Sequence, residues 1–186
     1  SYIKPIARKG FFSLEAYVRT VSDIITRIST VYEDVEGVLI SRPYNIGNSA
    51  SYGLEPSLNY TAKEWWKINT AANLYLYQLN GQIEDIDYSR ESFNWNARFT
   101  NSFTLKGFTL QLVSRYESKT VTSQGESLGY FTQDASVRKG FSKNKFSLTL
   151  QARNVLNTQK NISKTFTENV YLYSERIPLY PSISMT

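Results

Sequence analysis

A chain of 186 residues with no cysteine and no histidine has the length of one domain, and it excludes disulfide frameworks, thiolate zinc sites, cysteine nucleophiles and histidine acid–base chemistry. The formal charge of +5 is modest and forms no stripe, which argues against nucleic acid as a partner. Hydrophobic residues make up 41% and aromatics 15%, too much for a disordered chain, and no apolar run reaches the length of a membrane helix.

Most of the chain has a period of two. Ser1–Lys4 leads into a tight Arg8-Lys9-Gly10 turn, which reads as the end of a preceding strand. At 11–21, Phe12, Leu14, Ala16 and Val18 share one face, against Ser13, Glu15, Tyr17 and Arg19. At 44–60, Tyr52, Leu54, Pro56, Leu58 and Tyr60 oppose a small polar face of Ser49, Ser51, Gly53, Glu55, Ser57 and Asn59. Pro56 brings no donor to a ladder and would suit an edge or a bulge, so a local irregularity is expected there. At 66–78 the apolar register is Trp66, Ile68, Thr70, Ala72, Leu74 and Leu76; at 93–104 it is Phe93, Trp95, Ala97, Phe99 and Phe103. Phe108, Leu110, Leu112 and Tyr116 follow at 108–116, and a weaker set, Phe131, Ala135 and Val137, at 130–141. Phe146, Leu148, Leu150 and Ala152 mark 146–154, and an eighth run begins near 179.

Links between these runs alternate in length. Ala62–Trp65, Leu105–Gly107 and Ser142–Lys145 are short; 22–43, 79–92, 117–129 and 155–178 are long. Turn residues sit at both ends: Lys106-Gly107 and Lys143-Asn144 in short links, Asn80-Gly81 and Gln124-Gly125 in long ones. The pattern predicts an all-β fold, an antiparallel up-and-down transmembrane β-barrel with short periplasmic turns and long extracellular loops. A soluble β-sandwich alternates too. Three features favour the membrane: runs beyond ordinary soluble strand length, the strict alternation of links, and aromatics at the ends of the apolar registers. Those aromatics are Trp65, Trp66, Phe93, Trp95, Phe103, Phe108, Tyr116, Tyr130, Phe141 and Phe146, as interfacial belts require. Mean hydropathy of −0.38 fits, because lipid-facing and lumen-facing residues cancel in an average. Leu58 and Leu110 read as lying midway across the apolar band. The polar register, with Glu15, Glu55, Arg98, Arg115 and Arg153, must face a wet or plugged lumen. Its long side chains would crowd an eight-stranded barrel, which favours a wall of a wider one.

Five stretches carry a family resemblance: Gly10–Arg19, Asn45–Glu55, Trp66–Tyr75, Lys139–Leu148 and Ala152–Thr158. In order and spacing they resemble the C-terminal barrel portion of a TonB-dependent outer-membrane receptor of the kind common in Bacteroidetes. The resemblance implies a barrel of about 22 strands, a globular plug, and energised uptake of a scarce nutrient. Neither a plug nor a TonB-contacting segment is recognisable in residues 1–186, and no terminal aromatic closes Ser184-Met185-Thr186. No charged-then-apolar leader opens at Ser1, so a leader is expected to have been removed or to lie upstream. Both ends read as cut within strands. The expectation is a partial barrel domain over 1–186, about eight strands of a larger barrel, or the ordered part of a longer chain.

Candidate sites are few. Asp134, beside Arg138 in the polar register, reads as part of a lumen salt bridge or hydrogen-bond network rather than a catalytic carboxylate, and Glu15 and Glu55 read the same way. Asn154 and Asn157 are expected to cap a strand exit, since short amides bond local backbone groups. Glu84, Asp85 and Asp87 have the ligand type for calcium but not its loop pattern, and read as a solvated acidic loop. Val38-Leu39-Ile40, followed by Arg42 and Tyr44, is an apolar run that would pack on neighbouring loops or on a surface lipoprotein.

The expected function is therefore transport without covalent chemistry: no enzyme, no catalytic, cofactor or metal residues, and ligand-binding residues unknown. The partners expected are outer-membrane lipid, TonB through a plug outside this chain, a surface lipoprotein, and an iron chelate, cobalamin, glycan or peptide as ligand; nucleic acid is not among them. Two alternatives stand beside this: a small closed barrel acting as adhesin or anchor, and a soluble β-sheet binding module.

Overall fold

Alternating side chains divided by tight turns favour pleated strands, and every regular element in the computed structural model is one. It describes residues 1–32, 35, 37–141, 145–167, 171–178 and 182–185. In chain order the strands are β1 (Tyr2–Ile6), β2 (Gly10–Val21), β3 (Ile25–Val31), β4 (Leu39–Asn45), β5 (Gly47–Lys63), β6 (Trp66–Ile83), β7 (Ile86–Asp87), β8 (Arg90–Leu105), β9 (Phe108–Glu117), β10 (Thr120–Thr122), β11 (Gly125–Ser127), β12 (Tyr130–Phe141), β13 (Phe146–Arg153), β14 (Asn161–Phe166), β15 (Tyr171–Arg176) and β16 (Ser182–Met185).

The main sheet runs β1-β2-β5-β6-β8-β9-β12-β13-β16, antiparallel throughout and open between β1 and β16. Two smaller sheets, β3-β4 and β10-β11-β14-β15, stand at the long-link end. Lys106 and Gly107 join β8 to β9 with φ of 51° and 79°, the paired positive values that a two-residue turn needs to match strand twist. The turn expected at Ser142–Lys145, with Lys143-Asn144, lies mostly outside the described residues, but Phe141 and Phe146 pair across it.

The registers agree from strand to strand. Phe12 lies opposite Leu58, Leu58 opposite Thr70, Leu74 opposite Trp95, Leu110 opposite Val137, and Val137 opposite Leu150. One slip would send a whole strand's apolar set to the other face; the shift at Thr61–Lys63 lies at the very end of β5 and leaves the apolar sets matched. One face of the sheet is therefore mainly apolar, interrupted by Asn101, Ser114 and Gln133, and the other is mainly polar. From Trp66 to Leu76, the partner of Phe93, is roughly 33 Å along the strand. At a tilt of about 40° this is about 25 Å of height, that of a membrane barrel's apolar band. β5 and β6, with 17 and 18 residues, continue past it at the long-link end.

Several expectations are corrected. Pro56 sits in an interior strand, not at an edge. It pairs with Leu14 of β2, and the local irregularity expected at it is a gap in the β6 ladder at Glu55 and Pro56, without the change of register of a bulge. The register shift of this hairpin falls at Thr61–Lys63 instead. Leu110 is not midway: it lies two residues from Phe108, at the short-turn end, opposite Phe103. Tyr130 faces Glu117 on the polar side and leaves the aromatic belt. Asn80-Gly81 is strand rather than turn, paired with Gly47 and Asn48; a Cβ on Gly81 would stand 2.7 Å from the Ile46 carbonyl oxygen, so close approach requires glycine there. The turn of the 79–92 interval falls at Glu84-Asp85, between β6 and β7, with Glu84 at φ 53°.

A single open sheet has no second layer on which to build an interior. The buried apolar cluster lies instead at the long-link end, where Ile28, Ile46, Leu79 and Tyr88 meet, with Ile24, Tyr44, Tyr77 and Ile83 packed around them. Ile28 and Ile46 are each 2% exposed.

Candidate functional site

Two regions carry chemistry: the polar wall and the long-link end. On the wall, alternation places Glu15 directly opposite Glu55, and Arg98 directly opposite Arg115. No ion pair reaches Glu15 or Glu55 among the described residues. Beside them the Tyr17 ring lies over Gly53, where a Cβ would meet it at 2.4 Å. The Tyr17 hydroxyl donates to Asn73 Oδ1 at 3.1 Å, and Ser13 and Ser57 share a hydrogen bond of 2.6 Å.

Asp134 does form a network, but not with Arg138. Arg115 Nη1 donates to its Oδ2 at 2.6 Å, and the Asn154 backbone N–H donates to its Oδ1 at 2.9 Å. Arg138 sits between Thr109 and Thr149. Asn154 Oδ1 in turn accepts from the N–H groups of Thr158 and Gln159 at 3.1 and 3.2 Å, and the Asn157 N–H donates to the Asn154 carbonyl. Both asparagines have positive φ, 50° and 51°, a conformation that asparagine tolerates. They turn the chain out of β13, and Asp134 anchors that turn to the wall.

At the other end, links distant in sequence are tied together. The Gln124 side chain reads the backbone of Ser29 as a strand neighbour would: the Ser29 N–H donates to Oε1 at 2.7 Å and Nε2 donates to the Ser29 carbonyl at 2.8 Å. The Gln124 carbonyl accepts from the Phe166 N–H at 2.6 Å. One residue thus joins the β3–β4, β10–β11 and β14–β15 hairpins. Between them is a cleft of about 510 Å³, bordered by Thr30, Val31, Ile86, Arg90, Ser123 and Phe166 among others, within the usual size range of small-molecule sites. Leu39 and Ile40 of the apolar run lie in β4, opposite Val31 and Thr30.

Charge organises the four-stranded loop sheet. Glu126 accepts from Lys119 at 2.8 Å and pairs with Lys164 at 3.3 Å. The Lys119 bond, aided by Lys164, holds its carboxyl below the usual glutamate range. Of the acidic link residues, Asp87 accepts the Ser89 N–H at 2.8 Å. The Ser89 hydroxyl and N–H hold its carboxyl low. Glu84 accepts through its backbone carbonyl, from Gln82.

Sequence reasoning missed Gln124 as a tie. Its partner Ser29 lies 95 residues away, and the only local signal was a turn at Gln124-Gly125.

Neither the curated proteins nor the solved structures compared with the chain yield a match. A mainly apolar face of bilayer height, a polar opposite face, short turns at one end and built loops at the other are what a barrel wall in lipid requires. The sequence model described as the outer membrane protein beta-barrel family matches residues 1–185, and the chain belongs to that family, an antiparallel wall in the outer membrane of a bacterium.

Proposed function

We propose that the protein acts as an outer-membrane receptor and transporter that takes up a scarce nutrient, with TonB supplying the drive through a plug outside residues 1–186. The observation that supports this reading most is the long-loop end, where Gln124 ties three hairpins around a cleft of about 510 Å³. A purely structural anchor needs no such cleft. The polar inner wall, with Glu15, Glu55, Arg98 and Arg115, supplies a wet surface along which a ligand or a plug can move. A surface lipoprotein seated on the loop end is a second partner of this reading. The cargo is an iron chelate, cobalamin, a glycan or a peptide.

The test is uptake by cells that express the whole protein. Each of the four cargo classes is supplied in labelled form, with and without a protonophore or loss of TonB. Saturable accumulation of one class that stops when the drive is removed is the expected result. Accumulation of none, together with binding of cells to a surface, would turn the reading to the adhesin or anchor.

A further inference from the structure

We propose that the short-turn rim of the wall binds anionic phospholipid headgroups of the inner leaflet. This goes beyond the transport reading and rests only on the membrane barrel. A lipid-facing register excludes charge at depth, yet two lysines stand in it. Lys4 shares the outward register of β1 with Tyr2 and Ile6 and pairs with Phe12. Lys139 lies between Val137 and Phe141 on β12 and pairs with Phe108 and Leu148. Both are within a few residues of the short turns.

The ammonium groups of Lys139 and of Lys63, at the end of β5, are held against the aromatic belt. Lys139 Nζ is 4.4 Å from the Phe108 ring centroid and 5.3 Å from that of Phe141, and Lys63 Nζ is 5.4 Å from Trp65. A lysine stem along apolar surface with its head at the belt is the arrangement of an interfacial cation. Lys9, Lys106 and Lys145 add exposed charge in the turns. In segments 2–12, 60–68, 102–111 and 137–148, ten Lys and Arg face Glu64 as the only acid. Among the described residues none of these lysines forms an ion pair.

The opposite end reverses the balance: across 22–46, 80–92, 117–129 and 155–178 twelve acids face seven bases. The basic charge is thus concentrated at one rim, at the height of lipid phosphates, with Glu64 as its one carboxylate. Each such cation strengthens attraction to an anionic surface by up to about fivefold.

The experiment uses the full-length protein in vesicles of phosphatidylethanolamine with and without phosphatidylglycerol. Lipids retained through mild detergent extraction are weighed by mass spectrometry, and unfolding midpoints are measured in both vesicles. The expected result is enrichment of phosphatidylglycerol by about fivefold or more over its bulk share, falling toward bulk in the combined Lys4→Gln, Lys63→Gln and Lys139→Gln variant. The corresponding Lys→Arg variant retains it, and so does Lys160→Gln with Lys164→Gln at the loop end. High salt lowers the wild-type enrichment. Unchanged enrichment in the rim Gln variant, equal loss in the loop-end variant, or no enrichment by the wild type would each overturn the proposal. If the rim Gln variant does not fold, the salt series decides: enrichment indifferent to salt rejects it.

Discussion

A lysine at Leu58 and a lysine at Leu110 should not cost the same. Leu58 faces Phe12 and Thr70, four residues above Trp66, while Leu110 stands two residues from Phe108 at the rim. Charge on the lipid face costs about 2–4 kcal/mol near the midplane and falls to about 0–1 near the interface. Leu58→Lys is therefore expected near the upper figure and Leu110→Lys near the lower, by urea unfolding in outer-membrane vesicles. Equal costs would contradict the depth assignment. The face of each residue was legible in the sequence because alternation fixes it; depth and partners were not. Asp134 and Arg138 look like neighbours in the chain, but four residues along a strand is about 13 Å. A diagonal cross-strand neighbour is about 7–8 Å away, and Arg115 on β9 takes the carboxylate.

At the scale of elements, the long transmembrane strands were legible and the short loop strands were not. β2, β5, β6 and β8 have a lipid face that enforces apolar alternation. β10 (Thr-Val-Thr), β11 (Gly-Glu-Ser) and β14 (Asn-Ile-Ser-Lys-Thr-Phe) stand in water at the loop end, where polar residues satisfy either face. Their pairing is held by backbone ladders and by the Glu126 contacts to Lys119 and Lys164. The Glu126 carboxyl titrates lower in the folded sheet than in an open one, so it stabilises the sheet above the ordinary glutamate range. That contribution is lost as pH falls from the ordinary glutamate range through the depressed folded value. Amide protection in β11 and β14, corrected for the intrinsic exchange rate at each pH, should fall on such acidification. In Glu126→Gln the acid-induced part of that fall should be absent. An acid response identical in both proteins would remove Glu126 from this role.

At the scale of the whole molecule, the wall and the loop end are stabilised by different means. The wall depends on its ladders and on lipid. β1 and β16 have no outer partner among the described residues, and backbone groups left unpaired in hydrocarbon cost several kcal/mol each, so a membrane-embedded wall needs both edges covered. The loop end depends on buried apolar contacts and on the Gln124 ties. Local periodicity revealed the wall; the loop end is built from contacts between distant links, such as Gln124 with Ser29, which no local pattern encodes.

The cluster of Ile28, Ile46, Leu79 and Tyr88 also divides the chain by mutational tolerance. Acyl chains are fluid and refill whatever volume a side chain leaves, so an outward wall position selects for hydropathy and not for shape. Leu54→Ile or Leu54→Phe should change stability by no more than about 0.5 kcal/mol. The cluster cannot refill, and Ile46→Ala should cost about 2–5 kcal/mol, read as lost exchange protection at Ile24 and Gln82, whose N–H groups bond beside and to Ile46. A saturation scan would then divide this one β fold into a permissive region that accepts any oil-like side chain and a small selective one that accepts only the right volume.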